Sequence, residues 1–119
     1  MAGPIVHFCP RTAWAAADRW YAADTLATQG FIHCSLPERV HIPANLLARG
    51  RTDLVLLEID PARLPSPPVW EEGDPPDPDG VLFPHVYGPI PVDAVIGVQD
   101  YPPGPDGTFP PRTDRGVGG

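Results

Sequence analysis

Apolar residues along this chain come in short runs, each bounded by glycine, proline or charge. Six runs have the length and composition of strands: Ile5–Cys9, Phe31–Cys34, Asp53–Asp60, Val69–Glu71, Val81–Tyr87 and Ala94–Tyr101. The third is the strongest. Its centre, Leu54-Val55-Leu56-Leu57, is apolar at every position, which predicts burial on both faces. Val69–Glu71 reads as a short edge strand, and Gly88-Pro89-Ile90-Pro91 as the connection between the last two strands. Two segments carry helical spacing instead. Thr12 can cap a helix over Ala13–Ala23, where Trp14, Ala17 and Tyr21 share one face. Ser35-Leu36-Pro37-Glu38 has the form of a capping box opening a helix to about Ala48, with an interruption at Pro43 and a stop at Gly50. Helices early and strands late predict an α+β fold.

Three of the four histidines interrupt these apolar runs in near-identical settings: Val6-His7-Phe8, Ile32-His33-Cys34 and Pro84-His85-Val86. An imidazole in a buried strand costs free energy unless it finds a hydrogen-bond partner. Residues i and i+2 share a strand face, which pairs His7 with Cys9, His33 with Ser35 and His85 with Tyr87. Each pair has apolar neighbours on the opposite face. That is the pattern of strands lining a common cleft, one face to core and one to ligand. The alternative is three separate core histidines bonded to backbone carbonyls.

Composition then narrows the folded unit. The 19 prolines and 12 glycines cluster in residues 65–80 and from Pro102 to Gly119. The second cluster has almost nothing to bury, so a single domain over residues 4–101 with a disordered Pro/Gly-rich tail, 102–119, is expected. Net charge is −7, every positive side chain is an arginine, and five carboxylates fall within Glu71–Asp79. This balance excludes a phosphate-backbone binder of duplex nucleic acid, which needs a basic stripe. No apolar run approaches a membrane span and no signal peptide is recognisable, so a cytoplasmic chain with reduced Cys9 and Cys34 is expected.

Other chemistry is thinner. Three imidazoles and two thiols are good metal ligands, but there is no Cys-x-x-Cys, no helical His pair and no His-x-His; no metal is expected. Cys9 lies beside His7 and ahead of the Thr12 helix, where a thiolate nucleophile is conceivable; an inert buried thiol is the commoner outcome. Trp70 in the polar loop Trp70-Glu71-Glu72-Gly73-Asp74 must pack on the domain or a ligand, and would then hold Glu71 or Glu72 near the histidine cleft. Asp77-Pro78-Asp79-Gly80 lacks the first aspartate and last glutamate of a calcium loop.

Taken in order, Ile5-Val6-His7 with Trp14, Gly30-Phe31-Ile32-His33-Cys34-Ser35, Asp53-Leu54-Val55-Leu56-Leu57, Trp70-Glu71-Glu72-Gly73-Asp74 and Phe83-Pro84-His85-Val86-Tyr87-Gly88-Pro89 are recognisable as one set. Across residues 4–101 the chain resembles the bacterial family called domain of unknown function 952. That family in turn looks like a compact ADP-ribosyltransferase-like fold. The resemblance implies a small split β-sandwich, two short mixed or antiparallel sheets with two N-terminal helical segments, clasping NAD or a related nucleotide-sugar. It implies a small nucleotide-like partner and no membrane. His7, His33, Ser35 and Tyr87 would bind the cofactor. His85 and His33, with Glu71 or Glu72, would be catalytic in ADP-ribosyl transfer or NAD hydrolysis. The chain departs from the pattern where Phe8 replaces a glycine and where His85 stands at the place of a glutamate, a carboxylate better suited to positive charge developing on ribose. Crowded imidazoles should be neutral at pH 7 through mutual repulsion. A ligand-binding module of the same fold without turnover, or a histidine-ligated metalloprotein, are the alternatives.

Overall fold

A computed structural model describes residues 3–73 and 76–112. The strands are antiparallel and the helices few and short, an α+β fold as expected. In chain order the elements are β1 (Ile5–Pro10), α1 (Arg11–Ala15), β2 (Trp20–Tyr21), α2 (Asp24–Gln29), β3 (Ile32–His33) and α3 (His41–Leu47). Then follow β4 (Leu54–Ile59), β5 (Val69–Glu71), β6 (Phe83–Val86), β7 (Ile90–Pro91) and β8 (Val95–Asp100). The described strands make three sheets rather than two: β1-β4-β8, β3-β6-β5, and the two-residue pair β2-β7.

β4 is the centre of the first sheet, and its unbroken apolar run serves two cores. Val55, Leu57 and Ile59 pack with Ile5, Cys9 and Tyr21 on one face. Leu54 and Leu56 pack with Val6, Tyr101 and Phe109 on the other. α3 closes this second core with Ala44, flanked by Val40 and Ala48 at one-turn spacing. The β1-β4-β8 and β3-β6-β5 sheets are stitched by Val6 and Ser35, whose N–H groups each donate to the other's carbonyl at 2.8 Å. That stitch brings the strand carrying His7 against the strand carrying His33.

Four sequence expectations change here. The helix over Ala13–Ala23 is only α1, opening at Arg11 without a side-chain cap. Beyond it, Trp20 and Tyr21 pair with Pro91 and Ile90, inside the segment expected to be a plain connection. A long-range strand partner overrides the helix propensity of the alanines. Ser35 does not cap a helix: its backbone is committed to Val6, and α3 begins at His41 with no side-chain cap. Pro43 does not interrupt α3, because it lies in the first turn, where its missing N–H is not needed. Finally, the Pro/Gly-rich tail is not bare chain throughout. Phe109 is 1% exposed, stacks on Tyr101 at 4.8 Å, and has both its N–H and its carbonyl bonded by the Asn45 side chain. Residues 113–119 of that tail lie outside the described residues. α2 is not expected from the sequence; Gly30 ends it at φ 90°, a left-handed turn that a side chain would strain. Among the described residues no helix is long and apolar enough to cross a membrane.

Candidate functional site

The register of β3 against β6 sets His33 directly opposite His85. Their rings meet edge to face, centroids 5.3 Å apart. Phe31, two residues before His33 and so on its side of the chain, lies under both: it stacks on His85 at 4.2 Å and touches His33 at 4.7 Å. Tyr87, two residues past His85, approaches the same phenylalanine at 5.2 Å.

β5 supplies the carboxylate. Its pairing with β6 brings Glu71 opposite Phe83, on the His85 side of that strand. His85 Nδ1–H donates to Glu71 Oε1 at 2.7 Å, and the Tyr87 hydroxyl donates to the same oxygen at 2.7 Å. Oε2 takes no part in either bond. The two hydrogen bonds, Tyr87's first and then that of His85, hold the Glu71 carboxyl below its ordinary range; in return the phenol of Tyr87 is raised. Glu72, the next residue, is exposed and among the described residues does not join the cluster.

His33 is half-buried, and its Nε2–H donates to Gln29 Oε1 at 2.8 Å, leaving Nδ1 as an acceptor. Burial, then the neighbouring His85, lowers its basicity. His7 is different. Its Nδ1–H donates to the His33 carbonyl at 2.5 Å and its Nε2 accepts from the Tyr21 hydroxyl at 2.8 Å. Desolvation holds His7 down to about pKa 4, so it is a neutral imidazole with both nitrogens used inside the protein. The expected neutrality of His7 and His33 therefore holds, with burial rather than mutual repulsion as its main cause. Cofactor binding is expected of His7 from the sequence, but both of its ring nitrogens are bonded within the protein, so it has none left to offer a ligand.

Two clefts meet at His33. One, about 240 Å³, is lined by His7, Cys9, Tyr21, Asp24 and Thr25. The other, about 70 Å³, lies between α3 and the strands, with Ser35, His85 and Leu47 among its walls. The three histidines thus line two clefts that share His33, rather than one. A larger cleft, about 540 Å³, is bordered by Trp70, Glu38, Glu58 and Arg112, and no histidine reaches it. Trp70 is 43% exposed there, so it neither packs fully on the domain nor faces the histidines. β-Pairing, not Trp70, brings Glu71 to the site.

Burial disfavours the thiolate at both cysteines. Cys9 is buried and pushed up by desolvation despite a hydrogen bond with Tyr21, and Cys34 is pushed up to about 12. Among the described residues no three His, Cys, Asp or Glu side chains gather to hold a metal ion. Phe31, Gln29 and Tyr21 escaped the reading of the sequence. The strand-face rule that paired His33 with Ser35 also places Phe31 on that face, so its signal was present; Gln29 and Tyr21 needed the fold.

Solved structures of similar shape exist. The crystal structure of protein CC0527 from Caulobacter crescentus, a structural-genomics target, matches with a TM-score of 0.77 at 29% identity, covering 90% of this chain and 93% of that one. Its solution NMR structure matches with a TM-score of 0.67 at 29% identity, over 88% and 90% of the two chains. No curated protein matches the chain. Residues 8–98 match the family described as "Protein of unknown function (DUF952)", and the chain belongs to that family.

Proposed function

We propose that the protein binds a nucleotide or nucleotide-sugar, NAD being the first candidate, in an ADP-ribosyltransferase-like clasp built around His33, His85 and Glu71. One observation carries the reading: a carboxylate pinned through a single oxygen by His85 and Tyr87, beside an aromatic floor made by Phe31. A glutamate held this way keeps its negative charge and has a second oxygen for a ligand. It supplies the carboxylate missing at position 85. In hydrolysis the C1′–N bond of the nicotinamide riboside breaks and nicotinamide leaves with the electron pair. Glu71 offsets the positive charge that develops on the ribose, and water adds at C1′. His33, neutral and with Nδ1 open, accepts the proton that the water gives up. Phe31 and Tyr87 offer faces for the base.

The nucleoside half fits this chemistry better than the diphosphate does. The described residues lining the two histidine clefts include no arginine, and the chain has no lysine. The wider cleft, at about 240 Å³, also falls under the roughly 300 Å³ at which drug-sized ligand sites begin. Those two facts favour, as a second reading, a module that holds a small nucleoside-like ligand without turnover.

Thermal shift with NAD, nicotinamide riboside and ADP-ribose, together with chromatography of NAD over hours, tests both readings. Binding plus nicotinamide release that Glu71→Gln and His85→Ala each abolish is the result expected of an enzyme. Saturable binding without release supports the module. No shift with any of the three at millimolar concentration overturns both.

A further inference from the structure

The smaller histidine cleft has two unlike halves. On the strand side His33, Ser35 and His85 offer hydrogen-bonding groups beside Phe83 and Cys34, and on the other side the wall is wholly apolar, from Ile42, Pro43, Leu46 and Leu47 of α3. Among the described residues no carboxylate, arginine or lysine lines it. The wall is not borrowed from the core: α3 buries Ala44 on its inner side, whereas Leu46 and Leu47 are 58% and 72% exposed. Adjacent exposed leucines at the mouth of a cleft are apolar surface left for something else to cover.

We infer that this cleft receives a small uncharged apolar group, an aromatic ring or branched alkyl chain, on the molecule that the histidines bind or on its acceptor. The inference deepens the proposed function and rests on its placing of ligand at His33 and His85. The occupant is a small group because the cleft measures only about 70 Å³ and has the hydrogen-bonding side chains of His33, Ser35 and His85 along one side. A polar atom must therefore sit directly beside the apolar group. It is uncharged because the walls offer no opposite charge, which turns away phosphates and acidic or basic peptides alike. Leu46 and Leu47 then select the substrate.

The test uses the full chain with labelled isoleucine and leucine methyls, titrated with benzyl alcohol and, as the polar control, glycerol. Saturable shifts at the Ile42, Leu46 and Leu47 methyls are expected with benzyl alcohol and none with glycerol. Leu47→Asp, an exposed position that the core does not use, should weaken the binding at least tenfold with an unchanged circular-dichroism spectrum. Absence of saturable shifts overturns the inference, as does equal binding by Leu47→Asp. So does a concentration-dependent dimer in sedimentation that Leu47→Asp disperses, since a second copy would then be the cover. Silent benzyl alcohol with intact NAD binding sinks this inference alone; bound benzyl alcohol with no response to any nucleoside sinks the nucleotide reading alone.

Discussion

His7 should make this fold acid-sensitive in a measurable way. The folded protein holds the imidazole at a pKa of about 4, against 6.5 for a free histidine, chiefly because the ring is desolvated. Acid therefore protonates the unfolded chain first. The stability that this residue contributes is complete above pH 6.5 and is lost as pH falls toward 4. At about 1.4 kcal/mol per pH unit for one proton, that loss amounts to about 3 kcal/mol. Lowered His33 adds to it with the same sign, and lowered Glu71 does so further into acid, so the wild-type slope alone decides nothing. The difference from His7→Asn isolates the residue. The asparagine amide can still donate to the His33 carbonyl, while the partner of the Tyr21 hydroxyl is lost, at about 1–3 kcal/mol near pH 7. Urea midpoints for both proteins at pH 7, 6, 5 and 4 make the comparison. The wild type should lose about 3 kcal/mol more than the variant across that range. Parallel curves would mean that His7 is neither desolvated nor doubly bonded, and the account of the site would lose its anchor.

Three further outcomes follow from local contacts. Phe109→Ala should cost about 3–5 kcal/mol, because the ring is 1% exposed and stacked on Tyr101; an unchanged melting temperature would return residues 102–112 to a dispensable tail. Gly88→Ala puts a methyl 2.5 Å from Ser66 Oγ, a clash of about 1–3 kcal/mol that Ser66→Ala should relieve in a double-mutant cycle. Tyr87→Phe removes the largest cause of the low Glu71 titration, so the carboxyl 13C shift of Glu71 should titrate at higher pH than in the wild type; an unmoved titration would break the Tyr87–Glu71 bond out of the site.

What was legible in the sequence followed from local rules. Strand periodicity located β1, β4, β5, β6 and β8 within a few residues; the apolar runs of β1, β4 and β6 are buried, whereas β5 and β8 are edge strands that stay largely exposed. The i, i+2 rule put His85 beside Tyr87, where both now bond Glu71. Apart from Pro43, whose place in the first turn of α3 is a local matter, the failures of the fold reading share one cause, a distant partner. Trp20 and Tyr21 look helical until Ile90 and Pro91 pair with them, and Ser35 looks like a cap until Val6 takes its backbone. Phe109 sits in a segment whose prolines and glycines argue against structure. Yet a lone aromatic in such a segment is apolar surface seeking a core, and the Asn45 side chain provides the hydrogen bonds that let the chain come in.

Near-identical settings in sequence have become three different imidazoles, and counting ring nitrogens shows why. Hydrogen bonds within the protein occupy both nitrogens of His7, Nε2 of His33 and Nδ1 of His85. Only the last two histidines keep a nitrogen outside these bonds, and only they face each other across a strand pair. His7 binds the His33 carbonyl, so it fixes the backbone that aims His33. Glu71 fixes His85 from the opposite side. An imidazole held at one nitrogen and open at the other has a defined tautomer, which a ligand or a proton can then use. On the proposed function, ligand contact then falls to His33, His85 and Glu71, with His7 as the residue that positions His33, and a variant of His7 should weaken ligand binding only to the extent that it lets β3 shift.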